Sequence, residues 1–262
     1  MRRKPYVGIT GPINTYEVEH LVTLFESNGY NMESDYLPMI GFLVSYKTLT
    51  KQPVSNRRYP NFLNLRDLLR KCENKIFTMI HYNSRESDLA DQIDNVFNGL
   101  YEEDLCRSLQ LNIPSPNKSE LIKIKRKMPE MEIVFQANRH ILNSGDSFEV
   151  SKKISEYSGL IDYILIDPSG GRGQEFDMKS SVELYFELRE KIPEVQIGFA
   201  GGFNTENVNL RVNELIERIG NQNFSIDAEG GLRDKLSSEY GDDLLNLNKV
   251  KDYLFEASLV LK

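Results

Sequence analysis

The sequence predicts an α/β protein built as one (β/α)8 TIM barrel domain that spans residues 1–262. Short runs rich in apolar and β-branched residues alternate with segments whose apolar residues recur at helical spacing. Eight such units follow one another, and their predicted strands end every 25 to 36 residues. Eight strand–helix units are the number that closes a barrel, whereas a doubly wound sheet needs fewer strands.

The eight predicted strands are mostly continuous apolar runs, the pattern of parallel strands that are covered on both faces. They comprise Tyr6–Thr10, Ile40–Tyr46, Lys75–Tyr82, Arg107–Asn112, Glu132–Ala137, Ile161–Asp167, Val195–Ala200 and Phe224–Ala228. Between them, stripes of apolar residues predict amphipathic helices, most clearly over Phe62–Cys72, Val208–Ile219 and Leu247–Ala257. Asn204 and Thr205 stand where the helix after the seventh strand needs an N-cap.

Composition and charge argue against several classes of function. The chain carries 32 Lys and Arg against 39 Asp and Glu, so it lacks the basic surface that attracts nucleic acid or an anionic membrane. No apolar stretch reaches the roughly 18 residues of a spanning helix, and no signal-like segment develops at the start. Cys72 and Cys106 are too few for a disulfide framework and do not have metal-ligand spacing. We therefore expect a reduced, cytoplasmic protein without a metal site, with both thiols buried in the core.

The barrel prediction also indicates where a site lies, namely at the carboxyl ends of the strands. The sixth strand ends in Asp167, and burial at the barrel mouth can raise the pKa of a carboxyl toward that of a general acid. A glycine-rich loop that contains Arg172 follows and is able to fold over a ligand. The alternative is that Asp167 and Pro168 only start a turn and that the glycines are a flexible link.

Two pairs of glycines follow the last two strands. Gly201–Gly202 come after the seventh strand, and Gly230–Gly231 come after Asp227 and Glu229 at the end of the eighth. Glycines before a helix let backbone N–H groups approach an anion, and the helix dipole favours the same charge. One such pair indicates only a tight turn. Two pairs on adjacent loops, at the usual phosphate position of barrels, predict a phosphate site.

These strand ends resemble the motifs of the phosphoribosylanthranilate isomerase family of tryptophan biosynthesis. Leu165-Ile-Asp with its Gly-Gly-Arg-Gly-Gln-Glu-Phe-Asp loop is similar to the family's strand-six motif. Ala200-Gly-Gly-Phe-Asn-Thr-Glu-Asn-Val and Ile226-Asp-Ala-Glu-Gly-Gly-Leu are similar to its strand-seven and strand-eight motifs. Weaker similarities occur at Arg58-Tyr59 and Gln110-Leu111, so the resemblance covers residues 160–235 well and the remaining barrel loosely.

The resemblance implies a barrel of the ribulose-phosphate-binding type that acts as an aldose–ketose isomerase and needs no cofactor. It implies that Asp167 is the general acid, which protonates the ring oxygen of a phosphorylated ribose before a proton leaves C2 in an Amadori rearrangement. It further implies that Gly202 and the Glu229–Gly231 turn cradle the phosphate and that Arg58 meets a substrate carboxylate. The partner is then a small phosphorylated metabolite.

The sequence departs from the family pattern at the general base. The family uses a cysteine at the end of strand one, where this chain has Val7, and valine cannot accept a proton. Asp227 or Asp167 itself is the candidate replacement, because neighbouring carboxylates can take distinct acid and base roles. His81 is interpreted as a barrel-lining residue, with a role as the base as the alternative.

Two charged residues also differ from the family pattern in the predicted phosphate site. Glu229 introduces a negative side chain beside the phosphate position, where the family has serine. Arg172, in place of a threonine, either restores positive charge or lies exposed on its loop.

Three hypotheses follow from these residues. The first is a phosphoribosylanthranilate isomerase-like enzyme that uses another base, and the second is a relative with a different reaction on a phosphorylated ligand. The third is a barrel that binds a ligand without catalysis. Asp167 with its glycine loop favours an enzyme, whereas Val7 argues against the unmodified family reaction. Zinc-protease, serine-hydrolase and P-loop motifs are missing from the sequence.

Overall fold

A computed structural model describes residues 3–220 and 223–261 and shows a closed barrel of eight parallel strands. Each strand pairs with the next along the chain, and the eighth pairs with the first to close the sheet. The strands are β1 (Tyr6–Thr10), β2 (Leu37–Ser45), β3 (Phe77–Asn83), β4 (Ser108–Leu111), β5 (Glu132–Asn138), β6 (Tyr163–Asp167), β7 (Gln196–Ala200) and β8 (Ser225–Ala228). The predicted (β/α)8 fold is confirmed, and each predicted strand overlaps an observed one.

Helices cover the outside of the barrel, because a connection between parallel strands has to cross back along the sheet. They are α1 (Thr15–Ser27), α2 (Tyr46–Leu49), α3 (Leu65–Arg70), α4 (Leu89–Phe97), α5 (Lys118–Lys127), α6 (Arg139–Leu142), α7 (Ser147–Ser155), α8 (Met178–Lys191), α9 (Val208–Ile219) and α10 (Leu247–Ser258). The three predicted apolar stripes lie on these helices, although α3 ends before Cys72 and Phe62 lies in a preceding 3-10 turn. In the described part of the chain, no helix is long and apolar enough to cross a membrane.

The start of α9 differs from the prediction. Asn204 does not cap this helix, because its side-chain oxygen accepts backbone hydrogen bonds from Glu206 and Asn207 in a turn before the helix. The N-cap residue is Asn207, and the helix begins at Val208. The predicted cap at Asn204 and Thr205 is therefore wrong by two to three residues, since asparagine forms local turns as readily as it caps helices.

Strand residues alternate between the barrel interior and the face that packs on the helices. The outward-facing residues join the helices in one large hydrophobic core, which also buries both cysteine thiols as predicted. The inward-facing residues of the amino-terminal half form an apolar plug of Tyr6, Met39, Met79, Val134, Tyr163 and Leu165. Because this plug fills the half of the barrel near the amino-terminal ends of the strands, the interior is open toward their carboxyl ends.

A short antiparallel hairpin lies between β8 and α10, where the sequence predicted no strand. Its strands are β9 (Arg233–Lys235) and β10 (Asp243–Leu245), and Leu244 lies opposite Asp234 in the pairing. Each strand has only three residues, which is too short for an alternating apolar pattern to show in the sequence. The hairpin is important because it reaches the mouth of the barrel.

The apolar plug is expected to account for a large share of stability. We predict that Leu165→Ala, which removes a side chain that is 1% exposed, lowers the free energy of unfolding by about 2–5 kcal/mol. The matched control is Leu210→Ala on α9, where the side chain is 71% exposed and a change within about 0.5 kcal/mol is expected. Urea unfolding of the two variants measures both values. Equal losses would show that the plug is not tightly packed.

Candidate active site

The carboxyl ends of the strands surround a cavity of about 370 Å³. Its floor consists of buried polar side chains that point inward from five strands, namely His81, Gln110, Gln136, Asp167 and Asp227. Burying polar groups above an apolar plug costs free energy unless they find partners, so this floor is not explained by packing. The glycine turns after β7 and β8 line the same cavity. The structure therefore brings together Asp167, Asp227 and the predicted phosphate turns.

Asp167, the last residue of β6, is held by four hydrogen bonds. Its Oδ1 accepts from the backbone N–H groups of Ser169 and Gly170 and from the Ser169 hydroxyl, at 2.9–3.0 Å. Its Oδ2 accepts from Gln136 Nε2 at 2.5 Å. All four partners donate, so both carboxyl oxygens are used as acceptors. The loop after β6 and Gln136 thus fix the orientation of the Asp167 side chain, which lines the cavity.

Asp227 on β8 has the opposite environment. Its carboxyl is buried and receives one side-chain donor, the hydroxyl of Thr10, which lies 3.1–3.2 Å from both oxygens. Burial raises the pKa of Asp227 to about 8, and the negative charge of Glu229 is the next largest cause. At neutral pH, Asp227 is therefore mostly protonated and able to donate a proton.

The two aspartates lie at the same level of the barrel with β7 between them. Ala200 of β7 is the register partner of Asp227, and the residue before it pairs with the residue before Asp167. Two aspartate side chains with different hydrogen-bond partners therefore face one cavity. The resemblance assigned the acid role to Asp167, whereas Asp227 is the carboxyl whose pKa burial raises to about 8.

The glycine turns are packed against the loop between β6 and α8. A Cβ atom at Gly202 would lie 2.6 Å from the Glu175 backbone, and one at Gly230 would lie 2.5 Å from the Gly171 carbonyl oxygen. Only glycine allows the three loops to approach this closely, and Gly202 also has a φ of +73°. Loop packing alone thus accounts for these glycines. Binding of phosphate by Gly201–Gly202 and Gly230–Gly231 stays a prediction.

Arg58 lies next to the cavity and not among the residues that line it. Its Nε and Nη2 donate to Asp243, and its Nη1 donates to Glu229 at 2.6 Å and to the Gly171 carbonyl at 2.7 Å. Arg233 donates to the same Asp243 carboxylate at 3.3 Å. We name these four charged residues the Arg58 cluster. Every nitrogen of the Arg58 guanidinium is paired within the protein, so the substrate carboxylate that the resemblance assigned to it would have to displace a partner.

The Arg58 cluster also determines what Glu229 does. The Glu229 side chain is 15% exposed, and its bond to Arg58 offsets the negative charge that the sequence placed beside the predicted phosphate. Positive charge at the cavity comes instead from Arg172 and Arg139, both exposed at the rim. Arg172 is exposed and lines the cavity, and its predicted part in binding a phosphate stays a prediction.

Tyr240, in the loop of the β9–β10 hairpin, is a rim residue that the sequence did not reveal. The centroid of its ring lies 4.7 Å from the guanidinium carbon of Arg58 and 5.2 Å from that of Arg172. Its hydroxyl donates to the Gly170 carbonyl at 3.1 Å. The hairpin is thereby attached to the loop after β6, so that both loops form one wall of the cavity.

The structure shows where the side chains at two predicted positions on β1 and β3 lie. Val7 belongs to the outer core between the barrel and the helices, so the aligned family position carries no side chain into the cavity. The β1 residue that reaches the floor is Thr10. His81 lines the cavity, as interpreted from the sequence, and burial lowers its pKa to about 3, which keeps the imidazole neutral. Gln136 also lines the cavity, and its sequence signal is a polar residue near the end of an otherwise apolar strand.

The Arg58 cluster generates a stability prediction. Asp243→Asn leaves two buried guanidinium groups short of their shared counter-charge, and we expect a loss of about 3–5 kcal/mol in the free energy of unfolding. The control is the neighbouring substitution Asp242→Asn, because the partner of Asp242 is Arg57, whose side chain is 57% exposed. This substitution should lower the free energy of unfolding by at most about 1 kcal/mol. Chemical denaturation distinguishes them. A loss below 1 kcal/mol for Asp243→Asn would contradict the importance of the cluster.

The raised pKa of Asp227 makes a second prediction. Between pH 4 and pH 8 the folded protein keeps the Asp227 proton, whereas the unfolded chain releases it. The contribution of Asp227 to the free energy of unfolding therefore falls as the pH rises through this range. We expect Asp227→Asn to remove up to about 1.4 kcal/mol per pH unit of this decline. In denaturation measurements, the free energy of unfolding of the variant relative to that of the wild type should therefore increase from pH 5 to pH 8. Parallel stability curves for the two proteins would show that Asp227 has an ordinary pKa.

Comparisons with known proteins identify the fold only. No protein-family model and no curated protein matches the chain. Among solved structures, the catalytic domain of a hyperthermophilic chitinase from Pyrococcus furiosus matches with a TM-score of 0.56 and 12% identity, over 99% of this chain and 96% of that one. Catalytic-site mutants of active domain 2 of chitinase from Pyrococcus furiosus match with a TM-score of 0.57, the same identity and the same coverage. At this identity, the similarity establishes that the chain has the barrel fold.

Proposed function

We propose that the cavity is the active site of an enzyme that performs general acid–base catalysis on a small, sugar-type substrate. The observation that carries the proposal is the pair of Asp167, whose oxygens accept four hydrogen bonds, and Asp227, which is buried and has a pKa raised to about 8. An acid and a base that face the same cavity are what proton transfer at neutral pH requires.

In the proposed reaction, the Asp227 carboxyl gives its proton to the ring oxygen of an aldosylamine, the C1–O bond breaks, and the lone pair of the amino nitrogen forms an iminium at C1. The Asp167 carboxylate then removes a proton from C2, the electron pair of that C–H bond forms a C1–C2 double bond, and the π pair of the iminium returns to nitrogen. Loss of the enol proton at O2 and uptake of a proton at C1 from water complete an Amadori-type isomerisation. Each step leaves one aspartate with its charge changed, and exchange with water restores the starting state. The proposal assigns the base role to Asp167, which the family resemblance alone would make the acid.

A phosphorylated substrate of the phosphoribosylanthranilate isomerase type fits several features of the site. A cavity of about 370 Å³ has the size of a small-molecule pocket and not of a long polymer groove. The turns Gly201–Gly202 and Gly230–Gly231 offer backbone N–H groups at one side of it. Arg172 adds positive charge at the same rim, and Arg58 offsets the negative charge of Glu229. These features support a phosphate group at the β7–β8 side of the cavity.

Turnover is tested by following the fluorescence of freshly made phosphoribosylanthranilate with purified protein. Asp167→Asn and Asp227→Asn are each expected to lower the rate at least about 100-fold, because each removes one proton-transfer group. Asp167→Asn should still fold, since Oδ1 keeps its three donors and the free Oε1 of Gln136 can accept from the new amide. Asp177→Asn is the control, because Asp177 is exposed and caps α8 outside the cavity, and asparagine caps helices equally well.

A second measurement separates the reaction class from the particular substrate. Ribose 5-phosphate is incubated with the protein in D2O, and exchange of the hydrogen at C2 is followed by NMR. Exchange without loss of phosphoribosylanthranilate would indicate a different reaction on a phosphorylated sugar, the alternative already named. If neither reaction occurs and millimolar phosphate leaves the melting temperature unchanged, the proposed function is wrong.

A further inference from the structure

Three buried polar atoms on neighbouring strands of the cavity have no hydrogen-bond partner among residues 3–220 and 223–261. They are Nε2 of His81 on β3, Oε1 of Gln110 on β4 and Oε1 of Gln136 on β5. All three side chains line the cavity, and each is at most 4% exposed. We name these three atoms the polar arc. An unpaired buried polar group costs about 1–3 kcal/mol, so a cluster of three calls for a ligand.

The hydrogen bonds that these side chains do make determine what the free atoms offer. The Gln110 amide nitrogen lies 3.2 Å from Nδ1 of His81, and because an amide nitrogen only donates, Nδ1 accepts. The single proton of the neutral imidazole is therefore on Nε2, which is a free donor. Gln136 donates its amide to Asp167, so its Oε1 is a free acceptor, as is that of Gln110. The polar arc presents one donor and two acceptors.

Gly41 on β2 connects the polar arc with the acid–base pair. A Cβ atom at this position would lie 2.5 Å from His81 Nε2 and 2.6 Å from the Thr10 hydroxyl. The missing side chain thus lets the donor end of the arc approach the group that holds Asp227. At the other end, Gln136 contacts Asp167 directly. The arc therefore spans the floor between the two aspartates on the side away from β7.

We propose that the polar arc binds adjacent hydroxyl groups of the substrate, so that the carbon chain of a polyol lies over β3–β5 with its reacting carbon at Asp167. This inference rests on the proposed function and deepens it, because it names the part of the substrate that the cavity recognises. A hydroxyl group both donates and accepts, so a row of hydroxyls satisfies one donor and two acceptors together.

The charges of the floor support this orientation of the substrate. The polar arc contains no cation, and it lies beside the Asp167 carboxylate, which repels anions. An anionic group is therefore disfavoured at the arc itself, because the two arginines that line the cavity, Arg139 after β5 and Arg172 in the loop after β6, are both exposed at the rim. An apolar group over the arc would leave all three atoms unpaired. Neutral hydroxyl groups pair with all three atoms.

Binding of ribitol, measured by saturation-transfer NMR titration, tests the proposal without any turnover. The comparison ligand is 1,5-pentanediol, which has the same carbon chain without the three inner hydroxyls. We expect the wild-type protein to bind ribitol at least about tenfold more tightly, because one lost hydrogen bond of ordinary strength corresponds to nearly that factor. Equal binding of the two ligands, or no binding of ribitol, would overturn the proposal.

The matched variants are Gln110→Met and Gln196→Met. Gln110 contacts neither aspartate, and its substitution should weaken ribitol binding about tenfold. Gln196 is also a buried glutamine with an unpartnered Oε1, but it lies at the amino-terminal end of β7 and does not line the cavity. Its substitution should leave ribitol binding unchanged. Undiminished binding by folded Gln110→Met would overturn the polar arc.

The two proposals fail in different measurements. Ribitol binding that needs Gln110, together with full activity of Asp227→Asn, would refute the acid–base pair and leave the polar arc. Activity that needs Asp167 and Asp227, together with equal binding of ribitol and 1,5-pentanediol, would refute the arc alone.

Discussion

Closure of eight parallel strands into a barrel is the constraint on which the rest of this protein depends. Because alternate residues of every strand face the interior, closure gathers the residues near all eight carboxyl ends into one space. Thr10 and Asp227 are separated by most of the chain, yet they are hydrogen-bonded across the β1–β8 seam. The polar side chains of the floor belong to strands and not to loops, and the apolar plug packs beneath them.

The loops above the floor depend on a second device, the Arg58 cluster. Arg58 joins the segment after β2, the loop after β6, the end of β8 and the β9–β10 hairpin through contacts with Asp243, Glu229 and Gly171. Burying these charges has a large desolvation cost, which the short charge-assisted hydrogen bonds offset. A buried cluster of this kind adds little net stability while all of its partners are present, but it fixes the positions of the loops that carry them. It gives the cavity a wall whose members come from four distant parts of the sequence.

The floor itself shows a conflict between stability and chemistry. A protonated Asp227 and three unpaired polar atoms are arrangements that a barrel selected for stability alone would replace with apolar side chains. They coincide with the one part of the interior that the apolar plug leaves open. In the proposed function, hydroxyl groups of the bound substrate complete these hydrogen bonds.

The sequence by itself determined the fold class, the eight strands and the position of Asp167, Asp227 and the glycine turns at strand ends. Apolar periodicity and glycine placement are local signals, and closure then converts them into a shared mouth. The tertiary structure alone decided the protonation of Asp227, the pairing of Arg58 and the presence of Tyr240 at the rim. It also decided that Val7 faces outward while Gln136 faces the cavity. These properties depend on burial and on partners from other strands, which one-dimensional spacing does not encode.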